Sequence, residues 1–257
     1  MERQKGETIL SLHKAIDILS LLQQQGMPMG VTEIGRTLGM NKSTVHRILA
    51  TLEQRGMVQQ DAENGRYWLG LKLYSLGMAV SENMPLKAVA SPYIRALSQQ
   101  FNEVVHLGVL DRAASVDPRF LIVDKIQIQQ FLNITPSIGF GAPCHCSGLG
   151  KCLLAFTPSE YVATFTGAAL SRYTEKTIID WPSLLAELAF IRRQGYAIDN
   201  EELEVGLSCI AAPILANNGL LIGGVSLSGP TYRIQASQVE MIAAVQETAQ
   251  KISQQID

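Results

Sequence analysis

Two serines in the last third of the chain have the spacing of a ligand-binding strand. Ser226 and Ser228 are separated by one residue within an apolar run, so a β-strand would point both hydroxyl groups to one face. Val225 and Leu227 would then point to the opposite face. A pair of hydroxyl groups on one face can hydrogen-bond a small polar ligand, although a solvated strand face gives the same pattern.

A helix start upstream offers a second set of polar groups. Ser147 is placed to cap a helix that opens with Gly148-Leu149-Gly150, and the free N–H groups of such a start can bind a carboxylate or a phosphate. Asp199 ends a short strand with a side chain that can turn inward, and Cys209 begins an apolar strand. With the serine pair, these residues predict a pocket for a small anion.

The cysteines leave two other chemistries open. Cys144, Cys146 and Cys209 could hold zinc, but Cys-x-Cys is not the usual spacing of zinc ligands and no second matching pair exists. Cys209 could act as a nucleophile with His106 or His145, but no orienting motif accompanies them. Since the chain shows no signal peptide, we expect reduced thiols in the cytoplasm rather than a disulfide framework.

The stretch Val31–Gly56 predicts two short helices joined by a tight turn at Gly39. Thr32 is the expected cap of the first helix and Asn41 that of the second. The second helix has the spacing of a buried apolar stripe at Val45, Ile48, Leu49 and Leu52. Its remaining faces carry small or basic residues that suit base edges and phosphates, namely Lys42, Ser43, Thr44, His46 and Arg47. A plain helical hairpin with a solvated face is the alternative.

The residues that follow favour a winged helix-turn-helix. The stretch Met57–Leu69 contains two strand-like runs around Asn64-Gly65, a dipeptide typical of a two-residue type I′ turn. Such a hairpin would form a wing, with Arg66 at its tip placed to contact a phosphate. An amphipathic helix upstream of Val31 would complete a three-helix domain.

Composition is that of a globular protein, with 47% hydrophobic and 17% charged residues among 257. No apolar run is long enough to span a membrane. The net charge of −2 argues against a surface that coats nucleic acid, yet residues 1–80 carry nine basic and seven acidic side chains. A mildly basic N-terminal part and an acidic remainder of the chain fit local contact with DNA and a second function elsewhere.

The pattern predicts an α+β chain of three parts. Residues 1–69 form the winged helix-turn-helix, and residues 70–85 form a linker helix that ends at the break Ser81–Pro85. Residues 86–257 form a second domain of mixed strands and helices, including strands at Glu103–Leu110 and Phe131–Ile134.

Several stretches resemble the IclR family of bacterial transcriptional regulators, in its order and spacing. They are LHKAIDILSLL, NKSTVHRIL, GRYWLGLKLYSLG, PCHCSGLGKCLLAF, YAIDNEELEVGLSCIAAPI and GGVSLSGP. The resemblance covers essentially the whole chain. The sequence is also similar to that of regulators of sugar-acid catabolism. Cys144 departs from the family, which commonly has an aliphatic residue there, and Arg112–Arg119 looks longer than usual.

The resemblance implies a DNA-binding repressor or activator with no enzymatic activity. It implies a GAF-like α/β effector-binding domain with an antiparallel-type sheet, and a homodimer or a dimer of dimers that binds a double-stranded operator. The implied contacts to a small organic-acid effector are the backbone at Gly148 and Leu149 and the side chains of Asp199, Cys209, Ser226 and Ser228, with an apolar wall of Phe131, Ile134 and Ala142. No cofactor is implied, and zinc remains the alternative.

Overall fold

A computed structural model describes residues 8–114, 116–127 and 136–256. The chain divides into two compact units, Met1–Asn83 and Met84–Asp257. None of the helices in the described ranges is both long and apolar enough to cross a bilayer. The predicted strand at Phe131–Ile134 lies outside the described residues, and so do the two apolar wall residues Phe131 and Ile134.

The first unit is a helix-turn-helix with a hairpin. It contains α1 (Leu10–Gln25), α2 (Val31–Leu38), α3 (Lys42–Gln54), the antiparallel strands β1 (Val58–Gln60) and β2 (Tyr67–Leu69), and α4 (Leu71–Glu82). Its core is formed by the apolar stripes of the first three helices and by the hairpin, at Ile18, Leu22, Ile34, Val45, Leu49, Val58 and Tyr67. The predicted winged architecture is confirmed by this order of elements.

The turn between α2 and α3 depends on two glycines. Gly39 has a φ of 64°, in the left-handed region that a residue without a Cβ atom adopts readily. A Cβ atom at Gly35 would lie 2.8 Å from the carbonyl oxygen of Met40, so only glycine lets the turn pack this closely on α2. Close packing here fixes the direction in which α3 leaves the turn.

Both predicted helix caps in this unit were wrong in detail. The first helix begins one residue before Thr32, with Gly30 at the N-cap, and the Glu33 carboxylate accepts a hydrogen bond from the Gly30 N–H at 2.9 Å. Asn41 does occupy the N-cap of α3, but its side chain accepts no capping hydrogen bond. The Glu33 carboxylate thus satisfies the N–H of the N-cap residue itself, because it can reach back across the first turn.

The predicted two-residue turn at Asn64-Gly65 was also wrong. The strands end at Gln60 and resume at Tyr67, so the loop between them has six residues. Asp61 organises this loop, since its carboxylate accepts from Glu63 N at 2.9 Å and from Asn64 Nδ2 at 2.6 Å. These local hydrogen bonds compete with the tighter turn and open the wing tip.

The linker helix α4 begins at Leu71, one residue after the predicted start at residue 70, and ends at Glu82, within the predicted break. None of its described side chains is buried within this single chain. Large apolar residues are exposed along it, at Leu71, Tyr74, Leu76, Met78 and Val80. Helical spacing places Leu71, Tyr74 and Met78 on one side of α4 and Leu76 and Val80 on the opposite side. Exposed apolar area of this extent is typical of a protein contact surface.

The second unit is a six-stranded antiparallel sheet between two helical layers. The strands are β3 (Val104–Asp111), β4 (Arg119–Ile126), β5 (Gly141–Pro143), β6 (Ala197–Asn200), β7 (Leu207–Leu215) and β8 (Leu221–Pro230), in the order β5-β4-β3-β8-β7-β6. The helices are α5 (Pro85–Phe101), α6 (Gly148–Ala155), α7 (Ser159–Ala163), α8 (Trp181–Gln194), α9 (Thr231–Ala236) and α10 (Gln238–Ser253). A 3-10 helix, Cys144–Cys146, precedes α6.

The two faces of the sheet bury different helices. Val105, Val225 and Leu227 pack in the same cluster as apolar residues of α5 and α10. Ala211 and Ala197 pack with α6 and α8 on the other face. Because side chains alternate along a strand, Ser226 and Ser228 must face α6. This alternation confirms the predicted separation of the serine pair from Val225 and Leu227.

Two glycines let α6 lie directly on the sheet. Gly108 and Gly224 are cross-strand partners, and Leu149 covers them both. A Cβ atom at Gly108 would lie 2.6 Å from Cδ2 of Leu149, and one at Gly224 would lie 2.9 Å from its Cδ1. The N-terminus of α6 is therefore held against the centre of the sheet, next to the row of serines.

Candidate functional site

The polar residues of the sheet form two neighbouring cross-strand rows. Asp199 pairs with Cys209, and Cys209 pairs with Ser228, so these three lie side by side on β6, β7 and β8. In the adjacent row, His106 of β3 pairs with Ser226 of β8. Strand pairing thus brings together residues that lie more than a hundred positions apart in the chain.

The start of α6 meets these rows directly. Ser147 Oγ accepts a hydrogen bond from Gly150 N at 3.0 Å, as predicted, and caps the helix. A Cβ atom at Gly148 would lie 3.1 Å from the carbonyl oxygen and 3.2 Å from Sγ of Cys209, so glycine permits this close approach. The first-turn amides of Gly148 and Leu149 precede the first intrahelical hydrogen bond and carry the positive end of the helix dipole.

A cavity of about 50 Å³ lies between α6 and the sheet, and we call it the α6 cavity. It is lined by the polar residues His106, Ser147, Asp199, Cys209, Ser226 and Ser228 and by the apolar residues Phe120, Ile122, Pro136, Ala142, Leu149, Leu203 and Leu207. One water molecule takes up roughly 10–15 Å³ of such a volume. The cavity therefore has room for a ligand the size of about three to five water molecules. The predicted residues Ala142, Leu149, Asp199, Cys209, Ser226 and Ser228 all line it.

Asp199 is buried at this cavity, and the pKa of its carboxyl group is raised. Burial is the largest effect on its carboxyl group and, with the nearby Glu202 carboxyl, raises the pKa of Asp199 to about 7. The Glu202 N–H donates to Asp199 Oδ1 at 2.7 Å and partly opposes this rise. Asp199 can therefore be neutral near pH 7.

The thiols are poor candidates for nucleophilic catalysis, and they are not assembled into a group that could bind a metal ion. Burial raises the pKa of the Cys209 thiol to about 11 and that of Cys146 to about 12, and it raises the pKa of Cys144 well above its usual value. The part of the chain that the structure describes contains no group of three or more His, Cys, Asp or Glu side chains that could hold a metal ion. The zinc site suggested at Cys144, Cys146 and Cys209 was therefore wrong, since the fold does not assemble it.

His106 was not predicted as a pocket residue, although it lines the α6 cavity. Sequence reasoning named it only as a partner for Cys209 in a nucleophilic site. A usable signal was present, because Val105 and Leu107 flank His106 and pack on the opposite face of the sheet. The alternation that assigned Ser226 and Ser228 to the pocket face also assigns His106 to it.

A buried ion pair supports the loop that follows Asp199. Lys151 of α6 is 1% exposed, and its Nζ lies 2.5 Å from Glu202 Oε1 and 3.3 Å from Glu187 Oε1. The same Glu202 supplies the backbone N–H that binds Asp199. The pair therefore ties α6 to the loop that positions the Asp199 carboxyl group.

The predicted DNA-reading face lies along α3. Lys42, Ser43, His46 and Arg47 are exposed, whereas Thr44 is half-buried. Val45 and Leu49 are buried in the core below them, so the polar face is presented to solvent.

Arg66 is less available than predicted. Its Nη2 lies 2.7 Å from Glu33 Oε2, and its Nε donates to the Pro28 carbonyl at 2.9 Å. The side chain is 40% exposed.

Comparison with known proteins identifies both units. Residues 11–62 match the family model described as IclR helix-turn-helix domain, and residues 78–254 match that described as Bacterial transcriptional regulator IclR C-terminal. The chain is 36% identical over 255 residues to the HTH-type transcriptional regulator KdgR of Escherichia coli strain K12, covering 98% of this chain and 95% of the relative.

Solved structures share the fold. An IclR transcriptional regulator from Alicyclobacillus acidocaldarius is 26% identical, with a TM-score of 0.83 over 96% of this chain and 99% of that one. An IclR homologue from Microbacterium hydrocarbonoxydans, complexed with 4-hydroxybenzoate, is 23% identical, with a TM-score of 0.79 over 95% of this chain and 98% of that one. With both family models matched along the chain, the protein belongs to the IclR family of DNA-binding transcriptional regulators and is not an enzyme.

Proposed function

We propose that a small organic acid binds in the α6 cavity and controls how this regulator binds its operator. The observation that carries the proposal is the convergence of the first turn of α6, which places Ser147 and Leu149 in the cavity wall, with Asp199, Cys209 and the serine pair around one cavity. A carboxylate at the helix start would accept from the first-turn amides and meet the positive end of the helix dipole. The hydroxyl and thiol groups would then bind the rest of the molecule.

A neutral Asp199 supports an anionic ligand. With its pKa raised to about 7, the carboxyl group can be protonated beside a bound carboxylate and can donate a hydrogen bond to it. A permanently charged Asp199 would instead repel the ligand. The Microbacterium homologue is complexed with 4-hydroxybenzoate, which is also a carboxylic acid but is larger than the α6 cavity, so the smallest acids of the panel are tested first and 4-hydroxybenzoate with them.

Effector binding is tested with the full-length chain and a panel of acids from acetate and glycolate to benzoate and 4-hydroxybenzoate. A bound acid should raise the melting temperature in a concentration-dependent manner. Replacing both Ser226 and Ser228 by alanine should weaken binding at least tenfold. Ser98→Ala is the matched control, because Ser98 is buried but donates to the Glu103 carbonyl away from the cavity. If no acid in the panel stabilises the protein, the proposal is wrong.

We propose that Lys42, Ser43, Thr44, His46 and Arg47 of α3 bind DNA in the major groove, with Arg66 at the wing. Arg47→Ala should weaken specific binding by about 1–3 kcal/mol, because an arginine that contacts a guanine edge contributes this much. The assay is a gel-shift titration on duplexes selected from a random pool. Arg95→Ala, an exposed arginine of α5, is the charge-matched control. Equal losses in the two variants would refute a specific role for α3.

We further propose a homodimer that acts in the cytoplasm, where DNA is accessible. In this arrangement residues 1–69 bind DNA, residues 70–85 form the linker helix and residues 86–257 bind the effector. The exposed apolar residues of α4 support self-association, since monomers rarely expose so many large apolar side chains on one element. A dimer would set two α3 helices about 34 Å apart, in successive major grooves. Light scattering on the purified protein distinguishes monomer, dimer and tetramer.

A further inference from the structure

His106 lines the α6 cavity, but binding of a carboxylate at the start of α6 does not explain its role. Its ring is 4% exposed and lines the α6 cavity beside its cross-strand partner Ser226. Nε2 is buried and has no hydrogen-bond partner in the described parts of the chain. A buried polar atom without a partner costs about 1–3 kcal/mol, so a bound molecule that donates a hydrogen bond to Nε2 would remove this cost.

The protonation state of His106 makes Nε2 an acceptor. Burial, the largest effect, and the charge of Lys125 lower the pKa of His106 to about 3, so the ring is neutral at physiological pH. The Pro136 carbonyl forms a hydrogen bond with the ring, and a carbonyl oxygen can only accept. Since Nε2 is unpartnered, the Pro136 carbonyl must accept from Nδ1–H, which leaves a lone pair on Nε2.

His106 lines the same cavity as Ser147 and Leu149 at the start of α6. Gly108 follows two residues later on the same face of β3, and a Cβ atom there would meet the Leu149 side chain, so β3 passes directly beneath α6. The cavity therefore offers donors for a carboxylate at the α6 end and an acceptor for a donor group at the β3 end.

We infer that the effector is a hydroxy acid whose hydroxyl group donates a hydrogen bond to Nε2 of His106. This inference rests on the proposed function, because it assumes an acid at the start of α6. His106 then determines specificity: it binds acids that carry a hydroxyl group and disfavours those that lack one. A site built to bind a hydroxyl group discriminates strongly against the analogue without it, because the buried acceptor is left unpaired.

The test compares acids in pairs that differ by one hydroxyl group. The probes are 3-hydroxypropanoate with propanoate, 4-hydroxybutanoate with butanoate, and 4-hydroxybenzoate with benzoate, each titrated into the full-length protein by calorimetry. At least one hydroxy acid should bind ten or more times tighter than its partner. His106→Leu should remove this difference, whereas His106→Gln, whose amide oxygen can reach the position of Nε2, should keep part of it.

His145→Leu is the matched control for removal of a buried imidazole. His145 also has an unpartnered ring nitrogen, Nδ1, among the described residues, but it does not line the α6 cavity. This variant should keep the wild-type preference for hydroxy acids. If acids bind but each pair binds equally well, or if His106→Leu keeps the preference, the inference fails and the proposed function stands. If no acid of either series binds, both are overturned.

Discussion

The ionisation of Asp199 should make acid binding depend on pH between about 6 and 8. Its pKa of about 7, set mainly by burial, leaves the carboxyl group neutral below that value and charged above it. The effector carboxylate, with an ordinary pKa of about 4, stays charged throughout. If only the neutral form of Asp199 admits the anion, the apparent Kd should rise about tenfold from pH 6 to pH 8.

The assay is a calorimetric titration of the tightest acid in the panel at several pH values. Asp199→Asn should abolish the pH dependence, because the amide is always neutral and its oxygen can still accept from the Glu202 N–H. Other groups at the cavity do not titrate in this window, since the pKa of His106 is lowered to about 3 and that of Cys209 raised to about 11. The raised pKa of Glu202 is the remaining candidate. A slope that survives in Asp199→Asn would refute the assignment to Asp199.

Three further predictions concern stability and use urea unfolding. The folded pKa of Asp199 is raised from its usual 3.8 to about 7, so the wild type loses stability as the pH rises between these two values, and the loss is complete above pH 7. Asp199→Asn should therefore be similar to the wild type at pH 4 and more stable by about 2–4 kcal/mol at pH 8. Gly108→Ala should lower the free energy of unfolding by about 1–3 kcal/mol, because the added methyl group displaces α6. Gly77→Ala, which has open space around it in α4, should leave the free energy of unfolding unchanged or raise it slightly. Equal effects of the two substitutions would argue against close packing at Gly108. Lys151→Met should lower the free energy of unfolding by about 3–5 kcal/mol, because it leaves a buried carboxylate unpaired. Lys251→Met, which removes one partner of an exposed ion pair, should lower it by less than about 1 kcal/mol. A Lys151→Met protein as stable as the wild type would contradict the buried pairing.

The order of elements could be predicted from the sequence because periodicity reports which face of each element is buried. The helix-turn-helix and most strands of the sheet followed from it. The wing turn could not, because Asn64-Gly65 favours a tight turn in isolation while the Asp61 carboxylate binds two groups within a wider loop. The helix α9, Thr231–Ala236, was also missed, since six residues after Pro230 are too few to show a period.

The candidate site was predictable where a single segment carried its own signal. The spacing of Ser226 and Ser228 and the small residues after Ser147 gave such signals. The burial of Lys151 gave none, because a lysine one turn into a helix has the pattern of an exposed residue until Glu202 and Glu187 are placed beside it. The raised pKa of Asp199 was equally hidden, since it depends on burial that only the folded chain creates.

The pairing of Arg66 with Glu33 has a consequence for how DNA binding responds to ionic strength. Each cation that newly neutralises a phosphate releases counterions and adds about 0.9 to the slope of log K against log salt concentration. Because Arg66 already has a carboxylate 2.7 Å away, part of its charge is compensated before DNA arrives. Arg66 then adds less to that slope than a cation without a partner. The salt dependence of DNA binding by this unit would be set mainly by cations without such a partner, so weak salt dependence would be compatible with an intact wing.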